Sequence, residues 1–247
     1  MGSTHFGFSS VSAGEKRQRV MGVFSSVAGQ YDLMNDLMSG GMHRLWKRRM
    51  IASAAVGLGG RVLDVAAGSG DIAIGMARKV GAAGRVVLTD LNGAMLAEGA
   101  RRVIDVGLLP GRADCVQSDG SELAFATASF DQVTIAFGIR NFVDIEAGLA
   151  EFYRVLKPGG QLMVMEFSRP VLPLLDLIYD AYSFNVIPLL GEKITGDRAS
   201  YQYLVESIRS FPNQRRFTKL IEAAGFGLVR HENLTAGVVA IHRGYRL

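Results

Sequence analysis

A short glycine-rich segment, VLDVAAGSGDIA at residues 62–73, combines an apolar run with closely spaced small residues. A strand that runs into Gly68, Ser69 and Gly70 and then into a helix lets a ligand approach the backbone closely, because no Cβ intrudes and free helix N–H groups face it. The dinucleotide pattern G-x-G-x-x-G is incomplete, since Ala66 occupies the place of its first glycine. A lone G-x-G also fits an ordinary tight turn, so the nucleotide-type cradle that it predicts needs support from elsewhere in the chain.

Acidic residues at the ends of neighbouring strands supply that support. Asp90 follows Asp64 at the end of the next strand, where a carboxylate can accept both hydroxyls of a ribose. The pair Asp119 and Gly120 ends the third strand, within reach of an adenine amino group, although a surface turn alone would explain it. Asp64 and Asp71 lie close to the glycine loop, and two acids there would favour a ligand whose end at the loop is positively charged. The set predicts a cofactor with ribose and adenine but no pyrophosphate, and S-adenosylmethionine is such a molecule.

The elements that must position these residues follow from the hydrophobic pattern. From residue 61 onward, short β-branched runs alternate with longer amphipathic ones, which predicts a parallel sheet wrapped by helices. The predicted strands cover residues 61–66, 85–90, 113–119, 132–138 and 161–167, and the predicted helices cover 72–80, 94–106, 144–156 and 214–224. Two final strands complete the sheet. We interpret residues 1–247 as one α/β domain, with an N-terminal helical region at 1–57 and a helical insertion at 169–209 that covers the site.

The bulk composition is that of a globular protein and says little about partners. Of the 247 residues, 49% are hydrophobic and 20% charged, and the net charge is +4. An isoelectric point near 9.3 is compatible with a nucleic-acid or an anionic-membrane partner. The single cysteine, Cys115, excludes an internal disulfide and suits a reducing cytosol. No stretch approaches the roughly 18 apolar residues of a membrane-spanning helix, and no secretion signal is visible, so we expect a soluble or peripheral protein.

Several further motifs are spread over nearly the whole chain, among them YDLMNDLMS at 31–39, GIRN at 138–141 and LTAGVVAIHRGY at 234–245. Together with the glycine loop and LKPGG, they resemble those of the ubiquinone/menaquinone biosynthesis C-methyltransferases. The glycine loop and LKPGG are shared by many methyltransferases, whereas the other three motifs are specific to this group. The resemblance implies a Rossmann-like class I methyltransferase domain, with a seven-stranded, mostly parallel sheet whose last strand is antiparallel. It also implies methyl transfer from S-adenosylmethionine to a ring carbon of a polyprenylated quinol, a demethylated benzoquinol, demethylmenaquinol or both.

The same resemblance implies cofactor contacts by Ser69, Asp90 and the Asp119-Gly120 pair, and two departures from the family pattern accompany it. The loop is AAGSGD where the family more often has AGGTGD or AGGSGD, and the serine for threonine keeps a hydroxyl. Ala136 stands where many members place serine next to the cofactor, and it offers no side-chain hydrogen bond. The predicted cofactor-binding set is Asp64, Gly68, Ser69, Gly70, Asp90, Asp119 and Gly120.

Arg140 and Asn141 follow the fourth strand at the same edge of the sheet and are the predicted catalytic pair. A ring carbon becomes nucleophilic when the neighbouring hydroxyl loses its proton. Our hypothesis is that Arg140 pairs with the developing oxyanion, and that Asn141 positions that oxygen or a water. Arginine is too basic to accept the proton, which leaves water or a carboxylate such as Asp71. The alternative is a capping asparagine beside a surface arginine.

Rival functions and partners stay open at this point. The high isoelectric point suits an RNA methyltransferase, although the chain has no RNA-binding module, and a non-catalytic methyltransferase-like scaffold is a third interpretation. The four scattered histidines, His5, His43, His231 and His242, predict no metal site. We expect a cytoplasmic protein with a quinol substrate and without a nucleic-acid partner. The basic run RLWKRR would suit the inner face of an anionic membrane, and a homodimer or a quinone-biosynthesis complex is open.

Overall fold

The computed structural model describes residues 3–27, 35–36, 39–108, 111–172, 188–189, 192–193 and 197–247. The strands are β1 (Ser3–Phe6), β2 (Ser9–Ser12), β3 (Arg61–Val65), β4 (Arg85–Asp90), β5 (Ala113–Gln117), β6 (Phe130–Ala136), β7 (Leu156–Phe167), β8 (Gly227–Leu234) and β9 (Val239–Tyr245). The α-helices are α1 (Ala13–Val27), α2 (His43–Ser53), α3 (Asp71–Val80), α4 (Gly93–Asp105), α5 (Ile145–Val155), α6 (Arg198–Ser210) and α7 (Gln214–Ala223).

Strands β3 to β9 form one seven-stranded sheet in the described part of the chain, in the order β5-β4-β3-β6-β7-β9-β8. The pairs from β5 to β7 are parallel, whereas β9 runs antiparallel to both β7 and β8. The chain order reverses between β3 and β6, which is the point where open α/β sheets bind ligands. The predicted fold class, with its antiparallel last strand, is therefore confirmed.

Two apolar clusters lie on the two faces of this sheet. Met76 of α3 and Leu204 of α6 belong to the first cluster, and Phe152 of α5 and Phe217 of α7 to the second. The neighbouring residues Val62 and Leu63 fall into different clusters because successive side chains of a strand point to opposite faces. Burial on both faces explains why consecutive residues are buried in the central strands, at 62–65 of β3 and 132–135 of β6, instead of every second one.

The N-terminal region differs from the prediction, because residues 3–12 form a β-hairpin instead of a helix. Thr4 pairs with Val11, and Gly7 makes the turn with φ +58°, a value that glycine adopts without strain. Helix α1 begins only at Ala13, after Ser12, whose Oγ accepts a hydrogen bond from the backbone N–H of Glu15 at 3.2 Å. The hairpin was not predicted because its strands have four residues each, too few for a clear periodic pattern.

About half of the helical insertion predicted at residues 169–209, 20 of its 41 residues, falls outside the described residues. Residues 173–187, 190–191 and 194–196 are not described, and the described part contains α6, which begins at Arg198. Strand β7 also begins earlier than predicted, at Leu156, so KPGG lies inside the strand rather than between helix and strand. The third predicted strand ends at Gln117, which leaves Asp119 and Gly120 in the following turn.

Candidate active site

A cavity of about 360 Å³ lies at the carboxyl ends of β3, β4 and β6. Its walls are mostly apolar, and its polar groups come from the strand ends. Helix α1 closes one side through Arg17, Met21 and Phe24. The residues predicted from the sequence that line it are Gly68, Asp90, Asp119, Gly120 and Asn141. The structure thus brings five of the ten predicted site residues to one cavity.

The glycine loop turns sharply between β3 and α3. Ala66, Gly68 and Gly70 have φ values of +49°, +54° and +82°, so three of five consecutive residues adopt the left-handed conformation that favours glycine. Helix α4 packs closely against this loop, since a Cβ on Gly99 would lie 2.7 Å from the carbonyl oxygen of Gly68. Non-glycine residues in this conformation are uncommon and cluster at functional sites, which fits the position of Ala66 on the cavity wall.

Asp90 ends β4 with both carboxylate oxygens oriented by backbone donors. Oδ2 accepts from the N–H of Gly68 at 2.9 Å, and Oδ1 accepts from the N–H of Asn92 at 2.8 Å. Burial raises the pKa of Asp90 above its ordinary value, although these backbone donors oppose the rise. Each oxygen keeps a lone pair for another donor. Asp90 therefore offers two fixed acceptors to the cavity, as two adjacent ribose hydroxyls require.

Asp119 and Gly120 border the opposite end of the cavity. Oδ2 of Asp119 forms an ion pair with Nη2 of Arg17 at 2.6 Å, and Oδ1 accepts from the N–H of Ser121 at 2.9 Å. A Cβ on Gly120 would lie 2.3 Å from the ring of Phe142, so glycine allows this ring to form the cavity wall. The predicted adenine contact by Asp119 stays a prediction, and it would have to use a lone pair that Arg17 and Ser121 leave free.

Asp64 and Ser69 are buried beside the cavity rather than on its wall. Both border a narrow adjoining space, next to Lys47. Asp64 is 1% exposed, and its Oδ1 accepts from Oγ1 of Thr134 at 2.7 Å. Burial raises the pKa of Asp64 to about 7, despite the opposing hydrogen bond from Thr134. Asp64 therefore exchanges its proton near neutral pH, and a cation nearby would favour its charged form.

Asp71, predicted as a cofactor-flanking acid and proton acceptor, is engaged by two cations. Lys47 of α2 contacts Oδ2 at 2.7 Å, and Arg102 of α4 contacts Oδ1 at 2.6 Å. Burial alone would raise the pKa of Asp71, but Lys47 and Arg102 together lower it below its ordinary value. A carboxylate with a lowered pKa and two ion pairs is a weak base, so the structure disfavours the role of proton acceptor for Asp71. It favours a structural role instead, in which Asp71 links α2 and α4 to the glycine loop.

Arg140 and Asn141 lie in a short 3₁₀ turn after β6 but face different surroundings. The side chain of Arg140 is 3% exposed, and its Nη1 forms an ion pair with Oε1 of Glu166 at 2.7 Å. It borders a second cavity of about 570 Å³ on the far side of Phe142, not the first cavity. Asn141 lines the first cavity, and its Oδ1 accepts from the hydroxyl of Tyr203 at 2.9 Å. A direct contact between Arg140 and an acceptor in the first cavity would require the Glu166 ion pair to break.

Several residues of the site were not predicted from the sequence. The covering residues of α1 belong to a segment in which six of 15 residues are apolar, without a clear helical period, although Ser12 and Glu15 make the capping pattern S-x-x-E that signals a helix start. Lys47, Glu166 and Tyr203 are distant in sequence from the residues that they contact, so no local pattern could have indicated them. Asn92 was detectable, since it caps α4 directly after Asp90; its Oδ1 accepts from two backbone N–H groups.

The sheet order, the glycine loop and the oriented Asp90 together define a methyltransferase of the Rossmann-like class. Solved structures with this fold include a SAM-dependent methyltransferase from Aquifex aeolicus, with a TM-score of 0.64 and 16% identity over 87% of this chain and 98% of that one. Another, from Thermotoga maritima, has a TM-score of 0.64 and 17% identity over 92% of this chain and 99% of that one. At these identities the likeness establishes the fold alone.

The chain belongs to the ubiE/COQ5 methyltransferase family, whose pattern matches residues 12–246. Two relatives are named ubiquinone/menaquinone biosynthesis C-methyltransferase UbiE. The one from Teredinibacter turnerae is 51% identical over 242 residues, which is 98% of this chain and 97% of the relative. The one from Ralstonia nicotianae is 52% identical over 247 residues, the full length of both chains. The resemblance found in the sequence motifs is therefore confirmed.

Proposed function

We propose that this protein transfers a methyl group from S-adenosylmethionine to a ring carbon of a polyprenylated quinol, either a demethylated benzoquinol of ubiquinone biosynthesis, demethylmenaquinol or both. The observation that carries the proposal is an identity of 51% and 52%, over essentially the whole chain, to two relatives named as C-methyltransferases of this pathway. The cavity next to the glycine loop fits the cofactor class, because Asp90 offers paired acceptors and the remaining wall is mostly apolar.

The residues in and beside the cavity would contact two parts of the cofactor, the adenosine part and the sulfonium part. Asp90 would hold the ribose hydroxyls, and the apolar wall near Gly120, Met95 and Phe142 would take the adenine ring. The sulfonium centre of the bound cofactor supplies an electrophilic methyl group. The backbone of Gly68 to Gly70 permits close approach at that end, where the acidic Asp64 lies nearby and favours positive charge. Helix α1 excludes water by covering the cavity, which protects both the cofactor and a nucleophilic ring carbon.

At the acceptor end, Asn141 is the residue that would contact the quinol oxygen, because it lines the cofactor cavity. Arg140 would act from within the wall, where its positive charge favours the oxyanion without a direct contact. Glu166 holds the arginine in place and neutralises part of its charge. Burial raises the pKa of Glu166, and Arg140 opposes that rise. The proton would leave through water, since the ion pairs of Asp71 disfavour that carboxylate.

The proposal is tested by methyl transfer from labelled S-adenosylmethionine to each reduced quinone precursor, with transfer RNA as the control acceptor. We expect label in one or both quinols and none in RNA. Label in RNA alone would overturn the proposed acceptor, whereas cofactor binding without transfer to any acceptor would favour a scaffold.

The role of Arg140 needs a variant that keeps the fold. Replacing Arg140 alone would leave Glu166 as a buried unpaired charge, so the double variant Arg140→Gln, Glu166→Gln is preferable, because it leaves neither charge in the interior. Because Arg140 makes no direct contact and Glu166 neutralises part of its charge, we expect kcat to fall only about 10-fold, less than for a lost direct oxyanion donor, while the Kd of the cofactor changes little. Near-normal turnover in this double variant would remove Arg140 from the mechanism.

A basic groove supports peripheral association with an anionic membrane, where a polyprenylated substrate would reside. Within the described part of the chain, no helix has the length and apolar character needed to cross a bilayer. The groove between α2, α3 and α4 has a volume of about 380 Å³. Five cationic side chains lie along its walls; Arg44, Lys47 and Arg102 are ion-paired with Asp36 or Asp71, whereas Arg48 and Arg78 form no ion pair among the described residues. Leu45 beside it is 53% exposed, and Val106 on its wall is 44% exposed. Cations with adjacent exposed apolar residues suit an anionic lipid surface.

Vesicle flotation tests this association. The protein should float with vesicles that contain phosphatidylglycerol and stay behind with neutral phosphatidylcholine. The double variant Arg48→Glu, Arg78→Glu should lose flotation, whereas Arg215→Glu, on α7 across the sheet, should keep it. Equal flotation of all three proteins would contradict a role for the groove. Formation of a homodimer or of a quinone-biosynthesis complex stays a prediction, which the mass in solution would test.

A further inference from the structure

The hydroxyl of Tyr203 is the partner of the side-chain carbonyl of Asn141, at 2.9 Å. The two residues differ in exposure: Asn141 lines the cofactor cavity and is partly exposed, whereas Tyr203 on α6 is 4% exposed and stands behind it. The two residues are 62 positions apart in sequence, so tertiary packing brings them together. A buried tyrosine hydroxyl usually makes a hydrogen bond, and that requirement alone would explain the contact. Its geometry allows a more specific function.

We propose that Tyr203 is a positioning residue that fixes the amide of Asn141, with its oxygen turned to the tyrosine and its nitrogen left to donate to the acceptor oxygen. The inference rests on the proposed contact between Asn141 and the quinol. An asparagine amide can rotate by half a turn and exchange its donor for its acceptor at little steric cost. An acceptor oxygen that gains negative charge is stabilised only by the donor.

The hydroxyl of Tyr203 selects this orientation because it stays protonated. Burial raises the pKa of Tyr203 to about 12, so the hydroxyl keeps its proton throughout the neutral range. That proton needs an acceptor, and among the described residues the structure gives it only Oδ1 of Asn141. With the amide reversed, the hydroxyl proton would lose this acceptor. In the observed orientation Nδ2 of Asn141 has no partner among the described residues and is available to a ligand.

The ring of Tyr203 is also held in place by the N-terminal hairpin. Phe6 of the N-terminal hairpin stacks on it with ring centroids 4.0 Å apart and an interplanar angle of 10°. The hairpin is fixed to α6 by a second contact, in which the backbone N–H of Phe8 donates to Oε2 of Glu206 at 3.1 Å. These contacts restrict rotation of the tyrosine ring. The hairpin, the tyrosine and the asparagine thus form one continuous set of contacts that ends at the cavity.

The test uses Tyr203→Phe, which removes the hydroxyl and keeps the stacked ring. We expect kcat for the quinol to fall about 10-fold, the value of one lost hydrogen bond in the transition state. The KM for S-adenosylmethionine and the melting temperature should stay close to those of the unaltered protein. Tyr201→Phe is the matched control, because it removes a fully buried hydroxyl from the same helix and lines neither cavity. It should leave kcat unchanged.

A double-mutant cycle shows whether Tyr203 acts through Asn141. Asn141→Ala should lower kcat at least as much as Tyr203→Phe, and Tyr203→Phe in that background should add less than about a 2-fold loss. Normal turnover of Asn141→Ala would overturn both the proposed role of Asn141 and this inference. A low kcat of Asn141→Ala with normal turnover of Tyr203→Phe would overturn the inference alone. Independent, multiplicative losses would also overturn it, because they mean that Tyr203 acts by another route.

Discussion

Two kinds of carboxylate border the glycine loop, and they differ in what surrounds them. Asp64 and Asp90 end neighbouring strands, form no ion pair among the described residues, and have pKa values that burial raises. Asp71 begins the following helix, pairs with Lys47 and Arg102, and has a lowered pKa. The sequence alone makes all three look like ligand acids. The structure shows that Asp64 and Asp90 keep hydrogen-bonding capacity for a ligand, whereas both carboxylate oxygens of Asp71 are occupied by ion pairs within the protein.

The largest effect is expected from Asp90→Ala. It removes two oriented acceptors, and charge-assisted hydrogen bonds to two ribose hydroxyls should together account for about a 100-fold change in the Kd of S-adenosylmethionine. Isothermal calorimetry with the cofactor measures this. Asp105→Ala removes an exposed carboxylate at the end of α4 and serves as the control. An unchanged Kd for Asp90→Ala would mean that the ribose lies elsewhere.

Replacing Asp64 by asparagine tests the comparison, because it should change how the free energy of unfolding depends on pH. In the folded protein the pKa of Asp64 is raised from 3.8 to about 7, so between these values the folded state holds a proton that the unfolded chain has released. This contribution to stability is complete below pH 3.8 and is lost as the pH rises toward 7. Relative to Asp64→Asn, the free energy of unfolding should therefore fall by about 2 kcal/mol between pH 5 and pH 6.5. Urea titrations at both pH values test it, and parallel pH profiles would show that Asp64 is charged throughout.

Asp71→Asn should have its main effect on stability rather than on the cofactor. Lys47 and Arg102 would lose their common counter-charge in a half-buried site, at a cost of about 1–2 kcal/mol in the free energy of unfolding. Urea denaturation gives this quantity, and replacing Lys47 by Met in the same chain should recover part of it. The distinction between the two kinds of carboxylate breaks down if the cofactor Kd rises as far as it does in Asp90→Ala.

The smallest effect is expected at Arg17, whose ion pair with Asp119 holds α1 over the cavity. The side chain of Arg17 is 52% exposed and that of Asp119 is 30% exposed, so solvent screens the pair and it should contribute only about 0.5 kcal/mol. We expect Arg17→Ala to raise the cofactor Kd about 2-fold. The effect should disappear in high salt, which screens exposed charges. A change as large as that of Asp90→Ala would show instead that Arg17 binds the cofactor directly.

The parallel sheet and the positions of Asp64 and Asp90 at its ligand edge were predictable because each depends on local pattern, whereas the order of the strands was not predicted. Strand ends, a glycine loop and the spacing between Asp64 and Asp90 can be identified along one line of sequence. The common edge then follows from the geometry of parallel strands. The boundaries of β3 and β4 agree with prediction to within one residue, because apolar β-branched runs bounded by glycine or aspartate leave little freedom.

The partners of the catalytic candidates were not predictable because they come from remote segments. Arg140 meets Glu166 only when β6 and β7 lie side by side, and Asn141 meets Tyr203 only when α6 has packed against the sheet. The environment of Asp71 likewise depends on α2 and α4. The sequence shows that these side chains are polar, and their positions after predicted strands place them near the edge of the sheet where a ligand would bind. Whether each is free or already paired is decided by tertiary packing, which no local pattern encodes.

The hairpin at the beginning of the chain has a consequence for how the protein is made. Its contact with Glu206 joins residues 198 positions apart. Synthesis proceeds from the N-terminus, so the strands can pair early, but their docking surface on α6 emerges only after most of the sheet has been translated. Closing such a long loop is also intrinsically slow. We therefore expect the hairpin to dock on α6 in a late step of folding, after the segment that contains Glu206 has left the ribosome.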